Sequence, residues 1–263
     1  MMSRRRVGAT RSVDSPGVTR EKIIITGASS GLGEGMAREF AAKGRSLGLA
    51  ARRLDRLEDL AADLSGQAKQ IAVARLDVTD TASVPRVFAE LADELGGVDR
   101  VIVNAGLGKG APIGTGHADA NIETVQTNLV GALAQAEAAM EIFRAQNSGH
   151  LVLISSISAV RGLPKAQAAY AASKAGVSAI GQGLQAELAD SPITVTVILP
   201  GYIETDINRG VQTKLMTDTR SGVRAMVNAI EAEPRRAEVP AWPWKPIAAA
   251  LRHLPDALSA KLV

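Results

Sequence analysis

From Lys22 onward the chain alternates short apolar runs, rich in β-branched residues, with longer stretches whose apolar positions recur at helical spacing. "KIIITGA" precedes "LGEGMAREFAAKG", "SLGLAAR" precedes "LDRLEDLAADL", and "QIAVARLDV" precedes "TASVPRVFAELADEL". "VDRVIVNAG" leads through a loop into a long segment around 120–146, followed by "GHLVLISS", a helix around 168–190 and "ITVTVILPG". The runs IIIT, VIVN, LVLIS and TVTVIL are almost continuously apolar, as strands buried on both faces are. Strand followed by helix, repeated along the chain, predicts a parallel sheet with helices on both faces, because parallel neighbours need crossover connections.

The expected fold class is therefore α/β, a single-domain Rossmann-type doubly wound parallel sheet. Its organisation reads as a disordered N-terminal tail over 1–20, a dinucleotide-binding and catalytic domain over 21–235, and a Pro/Trp-containing extension over 236–263 that packs on the domain or on a subunit interface. In such sheets ligands bind beyond the carboxyl ends of the strands, where strand order reverses. Every motif below falls at such an end.

Composition narrows the chemistry. The net charge of +3 is spread over 30 basic and 27 acidic residues, so no nucleic-acid partner is expected. Cysteine is absent, which excludes disulfides, thiolate catalysis and cysteine-based metal sites, and three scattered histidines offer no paired ligand spacing, so no metal is expected. The opening arginines are not followed by an apolar run, and no segment is long and apolar enough to span a bilayer; a cytoplasmic protein without stable membrane insertion is expected.

"TGASSGLG" places Gly27, Gly31 and Gly33, with Ser29, Ser30 and Leu32 among them, between the first strand and the first helix. Glycines permit a tight turn and close backbone approach, and a helix N-terminus offers unpaired N–H groups to a pyrophosphate. The spacing G-x-x-x-G-x-G departs from the commoner G-x-G-x-x-G, yet its position between strand and helix points to a dinucleotide. At the end of the second strand, where an NAD site carries an acidic residue, the chain reads "LAARRLDRL". Arg52 and Arg53 can pair with a 2′-phosphate, so NADP(H) is expected in preference to NAD(H), with helix capping and pairing to Asp55 as the competing roles. Asp77 and Val78 end the third strand and Asn104, Ala105 and Gly106 the fourth, where they can border the adenosine; Asp77 can equally serve as a helix cap.

Tyr170 and Lys174 lie four positions apart on the helix around 168–190 and so share one face. A phenol titrates too high for efficient proton transfer at neutral pH, and a neighbouring ammonium would lower its pKa. "LVLISS" ends a buried strand in hydroxyls at the same edge; Ser156 is the candidate to hydrogen-bond the substrate oxygen, with Ser155 and Ser158 as alternatives.

In combination, "TGASSGLG", "NAG", "TNLVG", "ISS", "YAASK" and "PGYIET" over about residues 21–210 resemble the classical short-chain dehydrogenase/reductase (SDR) family. The resemblance implies an active tetrad of Asn128, Ser156, Tyr170 and Lys174. In it Tyr170 protonates a carbonyl, Ser156 steadies the oxyanion, Lys174 also binds the nicotinamide ribose, and Asn128 holds a water linked to Lys174. It further implies nicotinamide contacts around Pro200 and Gly201, particularly from Ile203 and Thr205, a strand order 3-2-1-4-5-6-7, and a homodimer or homotetramer acting on a small carbonyl or alcohol. Two features depart from the pattern. The step from Ser156 to Tyr170 is one residue longer than the family's, and no seventh strand is evident in "AEVPAWPWKPIAAALRHLPDALSAKLV". Residues 203–232 read as a loop and a helix whose apolar face, with Met216, Val223, Met226 and Val227, either packs on the domain or meets substrate; Trp242 and Trp244 read first as intradomain or subunit packing, with a pocket wall or a membrane-surface anchor as the alternatives. The expected function is reversible reduction of a ketone or aldehyde. The rivals are a redox-silent NADP(H) sensor or scaffold and an epimerase or dehydratase of the extended branch, the latter disfavoured by the glycine spacing.

Overall fold

The uninterrupted apolar runs become strands because they can bury both faces. The structure, a computed structural model, describes residues 19–208, 210–211 and 213–253. Seven strands are β1 (Lys22–Thr26), β2 (Ser46–Ala51), β3 (Gln70–Arg75), β4 (Arg100–Val103), β5 (Gly149–Ile154), β6 (Ile193–Pro200) and β7 (Arg236–Val239). They form one parallel sheet in the order β3-β2-β1-β4-β5-β6-β7, so the order reverses between β1 and β4.

The period-two alternation assigns the helices. Ile23 and Ile25 of β1 join Leu47, Leu49, Ile102 and Val152 under α1 (Gly31–Ala41), α2 (Leu54–Asp63) and α7 (Thr219–Glu231). Ile24 faces the other way with Val101, Val103 and Leu151, under α3 (Val84–Leu95), α5 (Gly131–Gln146) and α6 (Ala168–Glu187). The long segment expected around 120–146 resolves into α4 (Ala118–Val125), a π-helical turn at Gln126–Val130, and α5. The face of α7 that the sequence left open is buried against α1: a Cβ on Gly35 would stand 2.6 Å from Val223 Cγ2.

β7 is the seventh strand that the resemblance implies and that the apolar pattern did not show. Its residues Arg-Ala-Glu-Val lack an apolar run because β7 is an edge strand; only Val239 is buried, and Arg236 pairs with Glu238 across one residue at 2.8 Å. The extension begun at residue 236 thus starts inside the sheet. It continues as α8 (Ala241–His253), whose Trp242 has a non-helical φ of −101° and is 79% exposed, whereas Trp244 is 3% exposed against Ile157 and Ala248. The tail expected over 1–20 lies outside the described residues except for Thr19 and Arg20, and Arg20 is buried rather than loose.

Arg20 belongs to a polar network at the amino ends of the strands, which the sequence did not reveal. Glu233 accepts from Arg20 Nε at 2.9 Å, Arg100 Nη2 at 3.1 Å and Thr194 Oγ1 at 2.8 Å. Arg100 Nε donates to His150 Nδ1 at 2.8 Å, which leaves the Nε2 hydrogen for Thr196 Oγ1 at 2.9 Å and keeps the buried ring neutral. Burial, helped by Arg100, pulls the His150 pKa down to about 3. Burial alone would raise that of Glu233, but the hydrogen bond from Arg20 leads the interactions that bring it down to about 2. A carboxylate so lowered contributes stability that is present above its usual pKa near 4.5 and is lost as pH falls toward 2. Glu233→Gln is expected to cost about 3 kcal/mol in chemical denaturation at pH 7, since it leaves Arg100 buried beside a neutral partner. A loss below about 1 kcal/mol would mean that the network contributes little.

Candidate active site

A cleft of about 790 Å³ opens at the carboxyl ends of the strands, over the reversal between β1 and β4. Its floor at one end is the turn after β1. Gly27 and Gly31 have φ of +64° and +58°, and a Cβ on Gly33 would fall 2.3 Å from the Gly27 carbonyl oxygen, so helix and turn come together only without side chains there. A Cβ on Gly31 would meet nothing closer than Thr205, at 3.7 Å, so this glycine borders open space. The Ser30 side chain does not cap α1; it accepts from Arg53 Nη2 at 2.8 Å. The N–H groups of the first turn are left to a ligand, and the cradle fits a pyrophosphate.

Arg53 also donates to the Ser29 hydroxyl, at 3.0 and 3.2 Å, and so braces the glycine turn. Arg52 makes no hydrogen bond among the described residues and lines the cleft from an exposed position. Asp77 accepts from the Thr79 N–H and hydroxyl at 3.0 and 2.7 Å, forming a local turn. Burial would raise its pKa, but Thr79 and the charges of Arg52 and Arg75 bring it below the usual carboxylate value. Leu32, Val78, Ala105 and Gly106 line the wall between. Asn104 is turned to structural use: its amide donates to the Thr26 carbonyl at 2.9 Å and its N–H to the Thr26 hydroxyl at 3.0 Å, tying β4 to β1 behind the glycines.

At the other end of the cleft the structure brings together Ser156, Tyr170 and Lys174. The Tyr170 hydroxyl is hydrogen-bonded to Ser156, although the connection is one residue longer than expected; two short 3-10 turns and Lys165, at φ +58°, take up the excess. The serines separate by their partners. Ser155 donates to the Lys174 carbonyl and meets Ser178 Oγ, both at 2.8 Å, fastening β5 to α6, whereas Ser156 Oγ lines the cleft and accepts from the Ser158 N–H at 3.1 Å.

Lys174 Nζ donates to the Ile154 carbonyl at 2.9 Å and stands 6.0 Å from the Tyr170 ring centre. Burial pulls its ammonium down to about 8. Here the sequence expectation is corrected. Burial raises the Tyr170 pKa above its ordinary value near 10, the Ser156 hydrogen bond only partly opposes this, and Lys174 is not among the causes. Tyr170 therefore holds its proton at neutral pH. Asn128 sits in the π-helical turn, a distortion often found at functional sites. Its side chain accepts from the Leu107 N–H and donates to the Leu107 carbonyl, both at 2.8 Å, and also reaches Ser173 Oγ at 3.4 Å, so its direct task is to fix the loop after β4. A Cβ on Gly106 would stand 3.4 Å from Lys174 Nζ and 3.1 Å from Asn128 Oδ1, close quarters that suit a glycine.

Pro200, Gly201, Ile203 and Thr205 complete the wall, but Ile203 is 1% exposed and pairs with Thr217, so its side chain belongs mainly to the core. Sequence reasoning missed Tyr202, which sits between those residues. Its ring meets Trp244 edge to face at 5.5 Å, and burial raises its own pKa. The signal available was the chain's second tyrosine, inside "PGYIET".

A family model described as short chain dehydrogenase matches residues 21–215. An uncharacterized oxidoreductase of Mycobacterium tuberculosis is 58% identical over 248 residues, spanning 93% of this chain and 98% of that protein. Dehydrogenase/reductase SDR family member 7B of Rattus norvegicus is 35% identical over 71% of this chain and 59% of its own length. Among solved structures, an alcohol dehydrogenase from the archaeon Thermococcus sibiricus, complexed with 5-hydroxy-NADP, superposes with a TM-score of 0.73 at 25% identity, covering 83% of this chain and 95% of that one.

Proposed function

The chain belongs to the short-chain dehydrogenase family, a family of oxidoreductases, and from that premise we propose that it reduces a ketone or aldehyde to an alcohol with NADPH, Tyr170 giving the proton. One observation carries the reading: a single cleft joins a glycine cradle and Arg52 at one end to the Ser156, Tyr170 and Lys174 cluster at the other. The cradle would hold the pyrophosphate on the N–H groups of α1, Arg52 would pair with the 2′-phosphate, and Lys174 would hold the nicotinamide ribose. When bound, NADPH supplies the hydride.

Tyr170 is suited to donate because burial keeps it protonated, so the oxygen of a bound carbonyl meets a phenol O–H and not a phenolate. Ser156, already hydrogen-bonded to Tyr170, offers a second donor at the place where negative charge develops on that oxygen. Ser155 holds α6 against β5 and so fixes where Tyr170 and Lys174 stand. Recovery of the Tyr170 proton is assigned to Lys174, whose pKa near 8 leaves it able both to give and to regain a proton in the neutral range.

The direct experiment follows NADPH and NADH oxidation with a panel of aliphatic, aromatic and steroidal ketones and aldehydes. Consumption of NADPH dependent on one of them supports the reading, while tight NADPH binding without consumption would favour the sensor. Ser156→Ala is expected to lower kcat about a hundredfold with little change in cofactor affinity, checked by steady-state kinetics beside a cofactor titration. The pH profile of kcat/KM for reduction is expected to be level below about 8 and to fall above it, as Lys174 loses its proton.

A further inference from the structure

A second, smaller chamber of about 210 Å³ lies beside the active-site cleft, and Ile157, Ser158 and Tyr202 are walls of both. Its remaining lining is largely hydrocarbon: Leu163, Leu215, Ile247 and Leu251, closed by the buried indole of Trp244. Arg161, the one charged side chain on its wall among the described residues, donates from Nη1 to the Leu251 carbonyl at 3.1 Å, which ties the end of α8 over the chamber. Trp244 can lie where it does because residue 201 is glycine, since a Cβ there would fall 2.0 Å from the indole. Tyr202 then leans edge to face on Trp244 at an interplanar angle of 70°, and its ring stands between the chamber and the Tyr170 end of the cleft. Trp244, Ile247, Ala250 and Leu251 all follow residue 215, where the family match ends. The chamber thus joins four lining residues of the C-terminal segment to seven that lie within the family-matched stretch.

We propose that this chamber takes the apolar substituent of the carbonyl substrate, so that the substrate class is a ketone or aldehyde bearing an uncharged alkyl chain or phenyl group of about six carbons. The proposal rests on the reductase reading above. Size supports it, because an apolar cavity of about 150 Å³ already admits benzene. Chemistry supports it too: a charged substituent would lose its hydration against walls that are mostly hydrocarbon. A carbonyl held at Ser156 has the chamber two residues further along the same turn, at Ser158.

The test measures kcat/KM with NADPH for unbranched 2-alkanones from 2-butanone to 2-decanone. The expected result is a rise of about threefold to fourfold per methylene until the chamber is filled, followed by a plateau. Ala250 lines the chamber from an exposed position of α8, so Ala250→Phe narrows the mouth without entering the core and is expected to lower the octanone-to-butanone ratio at least tenfold, by about 1.4 kcal/mol or more. Ile247→Ala is expected to move the plateau to longer chains. A flat dependence on chain length, or a ratio that Ala250→Phe leaves intact, overturns the proposal while the reductase reading stands. A second readout needs no turnover: in a Trp242→Phe background Trp244 is the only tryptophan, and its fluorescence is expected to change saturably with 1-octanol and to lose that response with Ala250→Phe. Saturation without turnover of any ketone supports the chamber and counts against the reductase reading; absence of saturation overturns the chamber.

Discussion

Tyr170→Phe protein is expected to turn over its carbonyl substrate about a thousandfold more slowly than the wild type while binding NADPH within about threefold. The substitution removes one oxygen and keeps the ring, so Lys174, which donates to Ile154 and not to the phenol, keeps its position. Ser156 loses a hydrogen-bond partner but remains a donor to the substrate oxygen. What disappears is the proton that burial holds on the phenol. Steady-state kinetics with a parallel cofactor titration separates the two effects. If more than a tenth of the turnover survived, the donor would have to be another group, and Tyr202, the other phenol lining the cleft, would be the first to examine.

The two arginines after β2 are expected to part company when replaced singly. Arg52→Ala should weaken NADPH roughly tenfold to a hundredfold and leave NADH nearly unchanged, the range for a charge-assisted hydrogen bond to phosphate. Arg53→Ala should weaken both cofactors, because Arg53 also holds Ser29 and Ser30 in the turn that meets the pyrophosphate. Dissociation constants for both nucleotides measure this directly. Equal losses of NADPH and NADH with Arg52→Ala would mean that Arg52 acts through its charge beside Asp77 and not through the 2′-phosphate.

Much of this site was legible because its parts repeat local rules. A glycine turn between an apolar strand and a helix leaves a signature, as do hydroxyls at the end of "LVLISS" and a Tyr and Lys one helical turn apart. Elements escaped where burial is partial or where partners are distant in sequence. β7 is a short edge strand with alternating charges, and its four residues carry no run to detect. Arg20 looks like part of a polar leader, yet its partner Glu233 lies at the far end of the chain. The choice among Ser155, Ser156 and Ser158 depended on which hydroxyl reaches the α6 backbone, a tertiary fact. The sense of the Tyr170 pKa shift was misread for the same reason: helical spacing places Lys174 on the right face, but burial and the Ile154 carbonyl decide what that lysine does. Tyr202 and Trp244 meet only after β6, β7 and α8 have closed around them.

The most direct test of the central claim is to supply NADPH carrying deuterium at the transferable position of the nicotinamide, together with a carbonyl that the protein consumes, and to read the alcohol by mass spectrometry. The account predicts one deuterium on the former carbonyl carbon, formed by the wild type and nearly lost with Tyr170→Phe. Tight NADPH binding with no deuterium in any alcohol, across aliphatic, aromatic and steroidal carbonyls, would contradict it and leave a protein that binds the nucleotide without using its hydride.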